Sequence, residues 1–310
     1  MPPRHFYAHG KLLLSGEYLV LEGARALAIP TSMGQHLEIR PAGGRENLLY
    51  WETRDERDKL LMALTFETTD FRVLKKEGSL SHYLLQELLR EARKRNPQFL
   101  AAPHPLKATA KLEFPLNWGL GSSSSLIWNI ACWSATNPFE LLFAVSDGSG
   151  YDIACAGASR PVVYQLSQGQ PLWHEIDFNP PFAHQLFFVH LEKKQNSQQA
   201  VSSYRRLYKD TSLVTKISAI TENMISCTSA AVFASLMEEH EDILAQLLHM
   251  EKVKTLLFPD FPGSVKSLGA WGGDFVMACS DMPVNQVIHY FKDKGFNTII
   301  SFEKMFFHRA

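Results

Sequence analysis

The sequence predicts a mixed α+β protein with two domains. Its first third alternates apolar and polar residues as strands do, its middle joins a strand to a helix through glycines and serines, and its last part mixes helices with strands. A chain of 310 residues, 45% apolar and 20% charged, is long enough for two domains that each bury a core. We place these domains at residues 1–172 and 173–310, because the chain turns polar and Gly/Pro-bearing between Leu166 and Phe182.

The first domain is predicted to be rich in strands. Short strands are expected at residues 6–8, 11–14, 19–21, 35–40 and 48–51, with Gly10, Gly16 and Gly23 at the turns between the earliest of them. Apolar residues at helical spacing predict a helix between Ser81 and Arg95. A strand over residues 107–114 then leads into the glycine–serine run, and a buried helix is expected over residues 126–133.

The second domain is predicted to mix both element types. Strands are expected at residues 185–191, 275–279, 298–301 and 304–307, and helices at residues 198–209, 218–238, 241–254 and 283–294. This order is typical of an α+β sandwich with antiparallel strands on one side.

Charge and cysteine usage exclude several classes of protein. The formal net charge is −1, which gives no overall attraction to nucleic acid or to an anionic membrane. The four cysteines are far apart in the sequence and form no CxxC pair, so neither a disulfide framework nor a zinc site is expected. No long apolar run and no leader pattern occurs. We therefore expect a cytoplasmic protein that acts on a small molecule, without nucleic acid or membrane, and a homodimer stays open.

The run from Gly119 to Ser125 has the composition of a phosphate-binding loop. It consists of Gly119, Leu120, Gly121, Ser122, Ser123, Ser124 and Ser125. Glycines let the backbone approach an anion, and the following helix adds the positive end of its dipole. The serine hydroxyls can donate hydrogen bonds, bind Mg²⁺ or cap the helix. The run is not a Walker A loop or a dinucleotide fingerprint, because it lacks both the Gly-Lys-[Ser/Thr] ending and the third glycine. A capped turn without a ligand is the alternative.

Three segments in order resemble the GHMP kinase superfamily, which includes the mevalonate kinases and phosphomevalonate kinases. The segments are Pro115-x-x-x-Gly-Leu-Gly-Ser-Ser-Ser, His9-Gly10-Lys11-Leu-Leu-Leu-Ser-Gly-Glu-Tyr18, and Lys266-Ser-Leu-Gly-Ala-Trp-Gly-Gly-Asp274. The string Gly150-Tyr-Asp-Ile-Ala154 resembles the mark of a bacterial subgroup named GYDIA. The resemblance spans nearly the whole chain. It implies ATP and Mg²⁺ as cofactors, an N-terminal domain like domain 2 of ribosomal protein S5, and a ferredoxin-like C-terminal domain.

The resemblance also implies which residues carry the chemistry. Asp152 matches the catalytic Asp, which accepts or orients the hydroxyl proton of the acceptor, and Lys11 matches an active-site Lys that offsets charge on the moving phosphoryl group. Read without the resemblance, Asp152 is a helix cap and Lys11 a surface residue of a strand.

Further residues are implied on the acceptor and metal sides. Contacts with the acceptor are implied for Glu17, Tyr18, Gly269, Ala270, Trp271 and Gly272, and Mg²⁺ is expected to bind Ser123 and Glu140. Glu17 is otherwise a turn carboxylate, and Glu140 a first-turn acid favoured by the helix dipole. Trp271 stands where relatives commonly have glycine, so its ring is expected to narrow or reshape the site.

These residues predict an ATP-dependent phosphotransferase that acts on a small hydroxyl-bearing metabolite, as mevalonate kinases do. The alternatives are a phosphomevalonate kinase, a diphosphomevalonate decarboxylase-like enzyme and a catalytically silent nucleotide-sensing or ligand-sensing protein. Asn117 stands where phosphomevalonate kinases commonly carry Lys, and this favours an acceptor without a phosphate.

Overall fold

The structure, a computed structural model, describes residues 2–192, 204 and 210–306. Its strands are β1 (Arg4–Ser15), β2 (Ala26–Pro41), β3 (Leu48–Arg54), β4 (Leu60–Glu67), β5 (Arg72–Gly78), β6 (Leu106–Leu112), β7 (Val162–Ser167), β8 (Gln170–Glu175), β9 (Leu186–His190), β10 (Ser264–Leu268), β11 (Phe275–Cys279) and β12 (Ile299–Ser301). Its α-helices are α1 (Tyr83–Arg95), α2 (Ser122–Ser134), α3 (Pro138–Val145), α4 (Tyr151–Gly157), α5 (Thr211–Ser226), α6 (Ala230–Leu248), α7 (Val253–Leu257), α8 (Val284–Asp293) and α9 (Phe302–Met305). Short 3₁₀ helices occur at Leu19–Glu22, Leu116–Trp118 and Ala183–Gln185.

The chain forms two compact units that are interleaved along the sequence. The first unit comprises Met1–Gly10, Met33–Leu116 and Leu120–Gly157, and the second comprises Lys11–Ser32, Asn117–Gly119 and Ala158–Ala310. The predicted domains are continuous, and their boundary after residue 172 falls inside β8. A division at that residue stays a prediction.

The first unit packs helices against a mixed sheet. Its strands lie in the order β5-β4-β3-β6-β2, in which β3 and β6 are parallel and the other neighbours antiparallel. The apolar face of α1 (Leu85, Leu88, Leu89 and Ala92) is buried in one core with residues of α2 and α3 and of strands β2, β3, β4 and β6. This packing fixes the start of α2, which carries the serine run.

The second unit contains an antiparallel sheet with strand order β10-β11-β9-β12. All residues of β9, β10 and β11 are buried, and their apolar side chains pack with those of α8. The beginning of β2 pairs with β7, which in turn pairs with β8. Lys266, a charged residue buried in this sheet, requires a partner inside the unit.

Several predicted elements differ from the structure. Residues 19–21 form a 3₁₀ helix instead of a strand, and Gly10 lies within β1 instead of at a turn. Of the strand predicted at residues 304–307, residues 304 and 305 lie in α9, Phe306 forms an isolated bridge with Thr31, and residue 307 lies outside the described residues. The helix predicted over residues 218–238 is broken between Ser226 and Ala230. The helix predicted at residues 198–209 lies, apart from residue 204, outside the described residues. Strands β4, β5, β7, β8 and β10 were not predicted. The strands and helices predicted over residues 107–114, 126–133, 275–279 and 283–294 are confirmed within a few residues.

Candidate active site

The glycine–serine loop ends in the amino-terminus of α2. Gly119 and Gly121 have φ values of +66° and +89°, in the left-handed region where a side chain is strained. Gly121 is the N-cap of α2, and no side chain caps this helix. The expectation that a serine caps it is therefore wrong. The first amide groups of α2 have no acceptor within the helix, as at any helix start, which makes this position suitable for an anion.

The four serines divide into two kinds. The Ser124 hydroxyl donates to the Gly121 carbonyl at 2.8 Å, and the Ser125 hydroxyl donates to Gln35 Oε1 at 2.9 Å. Both side chains are buried, whereas Ser122 is half-buried and Ser123 is exposed. In the part of the chain that the structure describes, the hydroxyls of Ser122 and Ser123 make no side-chain hydrogen bond. Ser122 and Ser123 are thus the members of the run suited to an external ligand, and Ser124 and Ser125 shape the loop.

Residues of all three motifs meet at Gly119 in the second unit. Lys11 Nζ donates to the Gly119 carbonyl at 2.9 Å. On the other side, a Cβ added to Gly119 would lie 1.8 Å from Asp274 Oδ2. A side chain at position 119 would therefore require Asp274 to move, and the φ of +66° would strain it in any case.

Asp152 lies in the first turn of α4 and is half-buried. Its Oδ1 accepts a hydrogen bond from the Ile153 amide at 3.0 Å. The preceding Gly150 has φ +98°, so the loop that brings Asp152 into the helix depends on a glycine. The local contact is compatible with both a capping role and a catalytic role, and the catalytic role stays a prediction.

Glu140 lies at the end of α2 opposite to Ser123. Its Oε2 is 3.4 Å from Nε of Arg95, and the neighbouring Asn96 donates to the Ser134 carbonyl at 2.7 Å, at the carboxyl end of α2. With a rise of 1.5 Å per residue, Ser123 and Ser134 are separated by about 16 Å. Ligands of one Mg²⁺ lie within about 4 Å of each other. The structure therefore contradicts the predicted pairing of Ser123 with Glu140.

The turn after β1 is strained. Gly16 has φ +98°, and Tyr18 has φ 61° and ψ −53°. The Leu19 amide donates to the Glu17 carbonyl at 2.7 Å, so Tyr18 is the centre of a γ-turn with positive φ. This turn is rare for a residue with a side chain and costs on the order of 1–3 kcal/mol. It persists only because surrounding contacts hold it.

Glu17 is the centre of these contacts. Its carboxylate is 2% exposed, with Oε1 2.5 Å from Lys266 Nζ and Oε2 3.2 Å from His240 Nε2. Burial by itself would raise the pKa of Glu17, but the charge of Lys266 holds it well below its ordinary value. The predicted contact of Glu17 with the acceptor stays a prediction, and both of its carboxylate oxygens face groups of the protein.

Two further buried groups complete this cluster. His240 Nε2 accepts a hydrogen bond from the Gly16 amide at 3.1 Å, and burial lowers the pKa of His240, so its imidazole is neutral. The adjacent Glu241 is fully buried, and neither of its carboxyl oxygens is hydrogen-bonded to a side chain among the described residues. Burial raises the pKa of Glu241 to about 8, which makes it a neutral acid near pH 7.

The C-terminal glycine loop is tied to the same turn. The Trp271 amide donates to the Tyr18 hydroxyl at 2.7 Å, and its indole Nε1 donates to the Glu251 carbonyl at 3.1 Å. Gly269 and Gly272 have φ values of +73° and +66°, whereas Trp271 has no positive φ and is 6% exposed. A large side chain at position 271 is therefore compatible with the backbone. Its predicted effect on the shape of the site stays a prediction.

Three residues of this region were not assigned a role from the sequence. Asp274 closes the third motif and was visible there, but nothing in the sequence indicated its approach to Gly119. His240 and Glu241 lie on α6, among apolar residues at helical spacing, and a buried helix face was the only signal that pointed to them.

No protein-family model matches the sequence, and no curated protein is significantly similar to it. Solved structures do resemble it. Streptococcus pneumoniae phosphomevalonate kinase, in complex with phosphomevalonate and AMPPNP, has a TM-score of 0.72 at 16% identity, covering 96% of this chain and 99% of that one. Methanococcus jannaschii mevalonate kinase has a TM-score of 0.69 at 16% identity, covering 99% of both chains. Lactococcus lactis galactokinase, in complex with galactose, has a TM-score of 0.65 at 13% identity, covering 94% and 88%.

The chain therefore has the α+β fold of the GHMP kinases, as the sequence predicts, while membership of the GYDIA subgroup stays a prediction. Among the described residues, no helix has the length and apolar character needed to cross a membrane. The same residues contain no group of three or more His, Cys, Asp or Glu side chains placed to hold a metal ion.

Proposed function

We propose that the protein transfers the γ-phosphoryl group of ATP to the hydroxyl group of a small metabolite. The observation that carries this proposal is the meeting of Lys11, Gly119 and Asp274, one from each motif, at the beginning of the phosphate loop. Phosphoryl transfer needs positioning and charge neutralisation more than covalent chemistry. A lysine at a glycine loop that leads into a helix start provides both, and the fold similarity to three kinases supports the same reaction.

Each residue has a role in this proposal. The amides at the start of α2 bind the phosphates of ATP, Lys11 offsets the charge that develops on the transferred group, and Asp152 accepts or orients the hydroxyl proton of the acceptor. Mg²⁺, when bound with ATP, neutralises phosphate charge, and the exposed hydroxyl of Ser123 would be a ligand for it. Mg²⁺ in nucleotide sites is held largely by phosphates and water, so one or two protein ligands suffice.

The acceptor is proposed to lack a phosphate group. Without a Lys at position 117, the charge of a second phosphate would have to be offset by Lys11, Lys193, Lys194 or Lys266. Lys266 is fully buried and bonded to Glu17, and Lys193 and Lys194 lie outside the described residues. Asp274 places a carboxylate against Gly119, two residues after the exposed Asn117 in the sequence. Mevalonate or a similar hydroxy acid is therefore favoured over phosphomevalonate.

The test is a screen for ATP consumption with mevalonate, its phosphates, homoserine, shikimate and sugars, with product mass spectrometry. We expect a phosphorylated product from an unphosphorylated acceptor, and loss of this product in Asp152→Asn. Release of inorganic phosphate with CO₂ would identify a decarboxylase instead. For the acceptor class, kcat/KM is compared for mevalonate and phosphomevalonate in the wild type and in Asn117→Lys. The added cation is expected to improve the phosphorylated compound selectively, and a wild type that already prefers phosphomevalonate contradicts the argument from Asn117.

A further inference from the structure

The strained Tyr18 turn is held by contacts that reach it from two distant parts of the second unit. His240 on α6 binds the Gly16 amide, and Lys266 on β10 binds the Glu17 carboxylate. A backbone conformation of this kind persists only where its surroundings over-determine it, and such strain is concentrated at functional sites. The Glu17–Tyr18–Leu19 turn thus points to a role beyond ending β1.

We propose that Lys266 and His240 are positioning residues that fix the acceptor-binding loop Gly269–Gly273 through the Tyr18 turn. They hold Glu17 and Gly16, the turn holds the Tyr18 hydroxyl, and that hydroxyl holds the Trp271 amide at 2.7 Å. The assignment of the loop to acceptor binding rests on the proposed function, whereas the mechanical link from Lys266 to Trp271 does not.

The Gly269 end of the loop has open space around it. A Cβ added to Gly269 would meet nothing within 4 Å, so this end of the loop is not packed against neighbours. Gly273 approaches the Ala270 carbonyl, which is a contact within the loop itself. The anchors of the loop to the rest of the unit include the Trp271 amide and the indole bond to Glu251. Losing the amide anchor is therefore expected to loosen the loop without unfolding the unit.

Lys266 acts through Glu17 and not on a ligand. It is fully buried, and its ammonium donates to Glu17 Oε1 at 2.5 Å and to the Ser267 carbonyl at 2.9 Å. A buried ion pair is weak as a source of net stability against an apolar replacement, but it is directional and fixes geometry. We therefore expect this pair to fix the position of Glu17 and to add little net stability. Removing both charges together separates these two effects.

The experiment compares the wild type with the double variant Glu17→Gln/Lys266→Met and with Tyr18→Phe. The double variant leaves no unpaired buried charge, and Tyr18→Phe removes only the hydroxyl that holds Trp271. In both variants we expect hydrogen exchange of the Trp271 amide to rise about tenfold. The acceptor KM is expected to rise about tenfold while kcat and the ATP Kd change less than about threefold. A matched control is Asp260→Asn/Lys294→Met, which removes an ion pair of 2.9 Å elsewhere in the second unit and is expected to leave all of these values unchanged.

Wild-type exchange of the Trp271 amide in both variants would overturn the proposal, as would equal losses of ATP and acceptor binding. If the double variant does not fold, Tyr18→Phe decides the link from the turn to the loop. It tests the same bond without touching the ion pair, and an unchanged exchange rate in it is sufficient to reject the proposal. If the wild type transfers no phosphoryl group, the proposed function fails while hydrogen exchange still tests the positioning network, so the two failures are distinguishable.

Discussion

The start of α2 and the turn after β1 both carry motif residues, but their polar side chains are used differently. At the start of α2, Ser123 is exposed and makes no side-chain hydrogen bond within the described residues. At the turn after β1, the Glu17 carboxylate is buried against Lys266 and His240. A charge that has been removed from water must be paired inside the protein, and Lys266 supplies that partner for Glu17. Resemblance to a motif therefore does not distinguish groups that bind a ligand from groups that hold the backbone.

The largest expected effect tests the buried ion pair between Glu17 and Lys266. Lys266→Met leaves the Glu17 carboxylate buried without its cation, and we expect a loss of about 3–5 kcal/mol in the free energy of unfolding. Adding Glu17→Gln is expected to recover most of that loss, because it removes the uncompensated charge. Urea denaturation of the wild type, both single variants and the double variant measures the coupling. Additive losses in the two single variants would mean that Glu17 and Lys266 do not act as a pair.

The next prediction concerns Asp152, a residue proposed to act on a ligand, and expects a loss of turnover without a loss of ATP binding. Asp152→Asn keeps the shape of the side chain but removes the carboxylate that we propose accepts or orients the hydroxyl proton. We expect kcat to fall by roughly 10² or more, with the ATP Kd nearly unchanged. Steady-state kinetics and calorimetry check this. Asp147→Asn, an exposed carboxylate earlier in the same loop, is the matched control, and an equal fall in that variant would remove the special role of Asp152.

Glu241, in the buried cluster around Glu17, is expected to make the free energy of unfolding depend on pH. Its pKa is raised to about 8, mainly by burial and also by the negative charges of Glu17 and Glu238, against the attraction of Lys266. Its contribution to stability is complete below about pH 4.5 and is lost as the pH rises through about 8, at up to about 1.4 kcal/mol per pH unit. Between pH 6.5 and 8, we therefore expect the free energy of unfolding of the wild type to fall by about 1–2 kcal/mol more than that of Glu241→Gln.

Denaturant titrations at several pH values check the Glu241 prediction. Glu239→Gln is the control, because Glu239 lies on the same helix and is exposed. A wild type whose stability does not change over this pH range would show that Glu241 does not carry a proton there.

The smallest expected effects concern Ser125 and Ser123, two serines of the same run. Ser125→Ala removes a buried hydroxyl bonded to Gln35, and we expect a loss of about 1 kcal/mol in the free energy of unfolding. Ser123→Ala is expected to leave stability unchanged within about 0.5 kcal/mol. Its proposed effect is instead a rise in the Mg²⁺ concentration that gives half-maximal activity. Thermal unfolding and a Mg²⁺ titration of activity separate the two serines, and identical behaviour in both assays would contradict their division.

The sequence predicted the local parts of the candidate site better than their contacts. The glycine loop, the helix after it and the position of Asp152 at a helix start follow from short-range patterns, because turns and helix starts depend on residues within one or two turns of the chain. The pairing of Ser123 with Glu140 failed because it requires a distance across α2. The packing of α1 and α3 decides that distance, and through it the ion pair of Glu140 with Arg95.

By itself the sequence determined the α+β class, the order of the three motifs and the conformational need for glycine at positions 119 and 121. These depend on backbone stereochemistry and on apolar periodicity, which are properties of neighbouring residues. Only the tertiary structure decided that Lys266 neutralises Glu17, that Asp274 reaches Gly119, and that the Tyr18 hydroxyl holds Trp271. Each of these contacts joins residues more than 150 positions apart in the chain. The free energy of burying a charge or straining a turn depends on which groups the fold brings together there, and no local pattern encodes that.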